Sequence, residues 1–141
     1  MKKMFVVIIF VFLLIGMPAL VFNIQPVKAW TGVVYIRADG SIDPPTAPIQ
    51  REGDYYTLTG NIGSDADGIV VERDNVTIDG AGYTVQGAGS RYGIFLHGRS
   101  NVTIRNINVK NFECGVYLWD SEYNSICGSN ITNNGYGIYL Y

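Results

Sequence analysis

The sequence predicts an all-β protein, a right-handed parallel β-helix behind an amino-terminal β cap, on three observations. First, glycine followed by an alternating apolar strand recurs as Gly68-Ile-Val-Val-Glu72, Gly93-Ile-Phe-Leu-His97, Gly115-Val-Tyr-Leu-Trp119 and Gly137-Ile-Tyr-Leu-Tyr141, the glycines standing 25, 22 and 22 apart. Second, two further strand signals keep the period. Asn75-Val-Thr-Ile78 matches Asn101-Val-Thr-Ile104, with Ile126 in the same register one period past Ile104, and Val109 and Ile131 are also one period apart. Third, no stretch after Trp30 has the period of a helix. A unit of about 22 residues carrying three short strands is a solenoid unit, with each strand pairing about 4.8 Å away with its equivalent in the next coil.

Residues 1–29 read as a secretory signal peptide. Lys2 and Lys3 precede an uncharged apolar stretch from Met4 to Phe22, and Pro26 and Val27-Lys28-Ala29 follow with a cleavage-like end before Trp30. An uncleaved membrane anchor is the alternative, because about 20 apolar residues cross a bilayer. Gly16 and Pro18 interrupt the stretch and favour cleavage. On either reading the chain is exported, to an extracellular, secreted or cell-surface location, and membrane contact is confined to this segment.

Residues 30–67 are expected to form the cap. Val33–Ile36 and Tyr55–Leu58 read as strands joined by the proline-bearing loop Asp43–Pro48, covering an otherwise open strand edge. Residues 68–141 are the coils. The sequence stops within the first strand of a fourth coil, so a fragment of a longer protein is expected.

Stacking equivalent positions gives columns. One residue after the glycine stand Ile69, Ile94, Val116 and Ile138, and three after it Val71, Leu96, Leu118 and Leu140. These aliphatic columns point inward, joined by Ile78, Ile104 and Ile126 and by Val109 and Ile131. The glycines suit corners where φ is positive or backbones crowd. Asparagine tolerates the left-handed conformation and can form amide ladders; Asn108 with Asn130 and Asn111 with Asn133 are pairs one period apart. Asn75, Asn101 and Asn130 also open N-x-T sequons, and corner or ladder duty is the preferred reading of them. Cys114 stacks on Tyr136 and Cys127 on Arg105, in different columns, so two separate thiols are expected rather than a disulfide, which needs Cα atoms within about 7 Å.

The 141 residues, less 29, leave room for one small domain. Without Lys2, Lys3 and Lys28, 7 basic residues face 12 acidic ones with no basic run, which argues against nucleic acid as a partner.

The Gly-Ile-x-Leu and Asn-Val-Thr-Ile strands and the Asn-rich corners resemble the repeats of the pectin-lyase-like superfamily. Asn75-Val-Thr-Ile-Asp-Gly-Ala-Gly-Tyr-Thr-Val-Gln-Gly87 is similar to the first coil of NosD-like β-helix proteins. The resemblance spans about Gly68 to Tyr141. It implies the fold and leaves function open, because that superfamily includes polysaccharide lyases and hydrolases, epimerases, copper-maturation accessory proteins and noncatalytic surface proteins.

The outward columns of the first strand carry the candidate site. Two residues after the glycine stand Val70, Phe95, Tyr117 and Tyr139, and four after it Glu72, His97, Trp119 and Tyr141. Six of these eight are rings, and exposed rows of rings suit sugar faces or another apolar surface; the alternative is that rings simply favour stacked strands. Glu72 beside His97 is a weak acid/base pair with no second carboxylate in its columns, so no catalytic residue is assigned. Copper takes His, Cys or Met; with all three methionines before Ala29, only His97, Cys114 and Cys127 remain, in different columns, so the copper association is carried over to no residue. Asp65-Ala-Asp67-Gly68 lacks the full pattern of a calcium loop. No metal or cofactor is expected. The function expected is an exported β-helix protein binding a polysaccharide or surface glycan through Phe95, Tyr117, Tyr139, His97, Trp119 and Tyr141. A polysaccharide lyase or hydrolase with its catalytic coils beyond Tyr141, and a structural stalk or adhesin, are the alternatives.

Overall fold

The computed structural model describes residues 29–141, so the expected signal peptide lies, but for Ala29, outside the described residues. These residues are all β. A first coil contains β1 (Trp30–Thr31), β2 (Val34–Ile36), β3 (Ile42–Asp43), β4 (Ile49–Glu52), β5 (Tyr55–Leu58) and β6 (Ile62–Gly63). The second contains β7 (Ile69–Val71), β8 (Thr77–Asp79) and β9 (Thr84–Gln86), and the third β10 (Tyr92–His97), β11 (Thr103–Arg105) and β12 (Asn108–Lys110). The fourth has β13 (Cys114–Trp119), β14 (Ser125–Cys127) and β15 (Asn130–Thr132), before β16 (Tyr136–Leu140). Three sheets run the length of the molecule, in the orders β16-β13-β10-β7-β2-β3, β14-β11-β8-β5-β4 and β1-β6-β9-β12-β15. This is the parallel β-helix that the repeat predicts, with about four turns of about 22 residues.

The register is that of the predicted columns. Ile69, Ile94, Val116 and Ile138 are successive pairing partners, as are Val71, Leu96, Leu118 and Leu140. On the other sheets Ile78, Ile104 and Ile126, and Val85, Val109 and Ile131, do the same. Through the middle coils these side chains are buried, and they form one continuous core.

Residues 30–67 do more than cap. Their β2 pairs parallel with β7, β5 with β8 and β6 with β9, so the segment supplies a complete coil to the stack. The capping is done by two antiparallel strands within it, β3 on β2 and β4 on β5, which close the edges of two sheets. Tyr56 occupies the isoleucine column beneath Ile78, fully buried, and its hydroxyl donates to the Gly40 carbonyl oxygen at 2.8 Å.

Crowding, rather than a positive φ, explains the coil-initiating glycines Gly68, Gly93 and Gly115. A β-carbon on Gly93 would strike Val109 Cγ1 and lie 2.5 Å from the Gly115 carbonyl oxygen. On Gly115 it would lie 2.7 Å from the Gly137 carbonyl oxygen. The space left by Gly68, Gly87 and Gly93 is filled by the ring of Phe112. The corners are where φ is positive: Asn75, Asn101, Asn106, Asn111 and Asn133 all sit between 51° and 62°. Asn101 Nδ2 donates to Asn75 Oδ1 at 2.9 Å, one rung of an amide ladder. Two other asparagines clip coil to coil through backbone: Asn124 Oδ1 accepts from Val102 N–H and Asn134 Oδ1 from Phe112 N–H.

Ion pairs lie along the outside of the coils. Asp79 accepts from Ala81 N–H at 2.9 Å and from Arg105 Nε at 2.8 Å, and these bonds, the backbone one foremost, hold its carboxyl below the usual aspartate value. A lowered carboxyl stabilises the fold above the ordinary carboxylate range and loses that contribution as pH falls through the lowered value. Asp79→Asn is therefore expected to be less stable than wild type by about 1 kcal/mol at neutral pH, with the gap closing in acid. Urea unfolding at the two pH values measures it.

The two cysteines are free, Cys114 buried and Cys127 exposed, as expected of different columns. Burial foremost pushes the Cys114 thiol up, and its Sγ–H donates to the Val116 carbonyl oxygen at 3.2 Å. Alkylation of the native protein near neutral pH is expected to modify Cys127 alone, with Cys114 reacting only in denaturant; mass analysis of the modified peptides reads this out.

Candidate functional site

The face in question is the outside of the six-stranded sheet. Alternation along each strand sends every second side chain outward. The first outward column runs Tyr35, Val70, Phe95, Tyr117 and Tyr139, all successive pairing partners. In the second, His97 pairs with Trp119, whose ring meets that of Tyr141 edge-on at 5.8 Å. All six rings named from the sequence are thus brought to one face.

Their faces are not equally free. Tyr117 is sandwiched between Tyr92 and Tyr139, with centroids 4.5 and 5.3 Å away and planes within 10°. Such a stack consumes ring faces and presents hydroxyl edges. Burial foremost, then the neighbouring Tyr92 and Tyr139 phenols, push the Tyr117 hydroxyl up from its ordinary value, so it stays a neutral donor. Trp119 differs. It is 40% exposed and stands edge-on to Tyr117 and Tyr141, with interplanar angles of 89° and 80°. His97 lies 5.1 Å away, tilted by 32°.

At the amino-terminal end of the face, Val70, Glu72, Phe95, His97 and Arg99 line a cleft of about 230 Å³. Glu72 is taken by Arg37, whose Nη1 donates at 3.0 Å, and Arg99 Nη1 donates to the Glu72 carbonyl oxygen at 3.1 Å. The weak acid/base pairing of Glu72 with His97 therefore has a competitor in Arg37.

Tyr92 and Tyr136 are not among the site residues named from the sequence. Each stands one residue before a coil glycine, pairing with Cys114 between them, and Tyr136 meets Tyr139 at 5.8 Å and 69°. The regular spacing of Tyr92, Cys114 and Tyr136, one period from each to the next, was the available signal.

A family model described as periplasmic copper-binding protein (NosD) matches residues 46–141, more than half of the chain and most of the stack just described. The chain belongs to the NosD family. It is thus a β-helix member of a family described as periplasmic, which agrees with export at that coarse level. No curated protein and no solved structure matches it. Among the described residues, no group of three or more His, Cys, Asp or Glu side chains stands together as a metal site. His97 is on the outward face, Cys114 is buried with its thiol bonded to backbone, and Cys127 belongs to another sheet. The described residues do not fit copper. Asp67, weighed for calcium, spends its oxygens on Tyr92 N–H and Arg91.

Proposed function

We propose that this chain is an exported β-helix protein that binds a polysaccharide or surface glycan across the outward face of its six-stranded sheet. Trp119 is the stacking platform, with Phe95, His97, Tyr117, Tyr139 and Tyr141 around it. The observation that carries the reading is the exposed indole: Trp119 is 40% exposed and nearly perpendicular to Tyr117 and Tyr141, with His97 tilted against it at 5.1 Å, whereas Tyr117 is stacked on both sides. An indole face takes the C–H side of a pyranose, and the adjoining tyrosine hydroxyls and imidazole supply hydrogen bonds at its rim. Burying such a patch against a ligand answers the question an exposed apolar face raises.

Affinity electrophoresis of the purified protein through gels containing neutral and acidic polysaccharides tests this. Retardation by at least one polysaccharide is expected, with Trp119→Ala weakening it about tenfold or more. Migration unaffected by every polysaccharide, or retardation unchanged in the variant, contradicts the proposal.

A further inference from the structure

The tyrosines missed in the sequence lead to a second site. Tyr92, Glu113, Cys114, Tyr117, Tyr136 and Tyr139 line a cleft of about 250 Å³. That is below the roughly 300 Å³ at which pockets for drug-sized ligands begin, so it suits a small headgroup. Tyr136 and Tyr139 form a corner, their planes 69° apart and centroids at 5.8 Å. Tyr92, stacked on Tyr117, extends the aromatic wall.

The charge in the cleft has one sign. Glu113 is its only charged side chain, is exposed, and forms no ion pair among the described residues; no Lys, Arg or His lines the cleft. By contrast Glu72, Asp43, Asp54, Asp67, Asp74 and Asp79 each have an arginine. A phenol face carries negative quadrupole density that attracts cations, as two tyrosines here show: the Arg91 guanidinium lies 5.8 Å from the centroid of Tyr92, itself a cleft ring, and that of Arg37 4.1 Å from Tyr35. Two steeply inclined tyrosine walls in a cleft whose lining includes an acid without an ion pair are complementary to a cation that is bulky, apolar on its surface and unable to donate strong hydrogen bonds. We infer that this cleft is an aromatic cage for a quaternary ammonium group.

The inference goes beyond glycan binding: the cleft shares Tyr117 and Tyr139 with the proposed glycan face, and Tyr136 and Glu113 belong to the cleft alone. Calorimetric titration of the protein with choline, and with its uncharged carbon isostere 3,3-dimethylbutan-1-ol, tests it. Saturable choline binding is expected, with the isostere about tenfold weaker. Glu113→Gln and Tyr136→Ala are each expected to weaken choline about tenfold, and Trp119→Ala to leave it unchanged. Equal binding of the isostere, no effect of Glu113→Gln in a variant whose circular dichroism matches wild type, or no saturation by choline overturns the proposal. Glu113→Gln that keeps polysaccharide retardation while losing choline separates this site from the glycan face.

Discussion

Gly93→Ala is expected to destabilise the protein by about 3 kcal/mol, although it adds a single methyl group. The methyl would strike Val109 Cγ1, lie 2.5 Å from the Gly115 carbonyl oxygen and press on Phe112 Cδ2 at 3.0 Å. Two of these neighbours are buried core and the third is backbone of the next coil, which cannot retreat without separating β10 from β13. Gly98 is the control. Its φ is 62°, and a β-carbon there meets nothing within 4 Å, so Gly98→Ala carries only the cost of a left-handed alanine, about 1 kcal/mol. Urea unfolding of the two variants separates crowding from backbone conformation. Equal losses would mean that the coil glycines serve φ after all.

Phe112→Ala is expected to cost still more, about 4 kcal/mol. The ring is 2% exposed, and among the fully buried side chains of the described residues only that of Tyr56 is larger. It fills the space bounded by Gly68, Gly87 and Gly93, so its removal leaves a cavity walled by backbone that cannot collapse. Phe112→Leu retains most of the volume and is expected to lose about 1 kcal/mol. Thermal unfolding ranks the three proteins, and an alanine variant as stable as the leucine one would show that the site relaxes and that the glycines are not built around the ring.

Periodicity made the coils legible and its interruption hid the first one. Gly93, Ile94 and Leu96 find equivalents one period later in Gly115, Val116 and Leu118, so columns, inward faces and outward rings all follow from counting. The partner of Ile69 is Val34, well over one period earlier, because β3 and β4 are inserted between the coil's first two sheet strands. Past that insertion the period resumes, and Tyr56 lies one period before Ile78; a tyrosine in an isoleucine column concealed it, its burial made tolerable by the Gly40 carbonyl and by Arg73 Nη1, which donates to its hydroxyl at 3.5 Å.

The site was legible to a similar depth. The outward ring positions follow from the same counting, whereas the distinction between rings stacked on one another and rings left open does not. It depends on side-chain tilt: Tyr117 lies flat between Tyr92 and Tyr139, while Trp119, two residues on, is turned nearly perpendicular to it. The corner made by Tyr136 and Tyr139 depends on the same tilt.

The proposed function turns on whether the open face of Trp119 is covered by a glycan. The protein has two tryptophans, and Trp30 is on a different sheet, so Trp30→Phe leaves the fluorescence to Trp119 alone. Acrylamide quenching of this variant, with and without a polysaccharide that retards it, measures the access directly. The account predicts strong quenching of the free protein and at least a several-fold loss of quenching in the complex. Undiminished quenching in a complex that demonstrably forms would place the glycan elsewhere on the molecule and contradict the proposed role of this face.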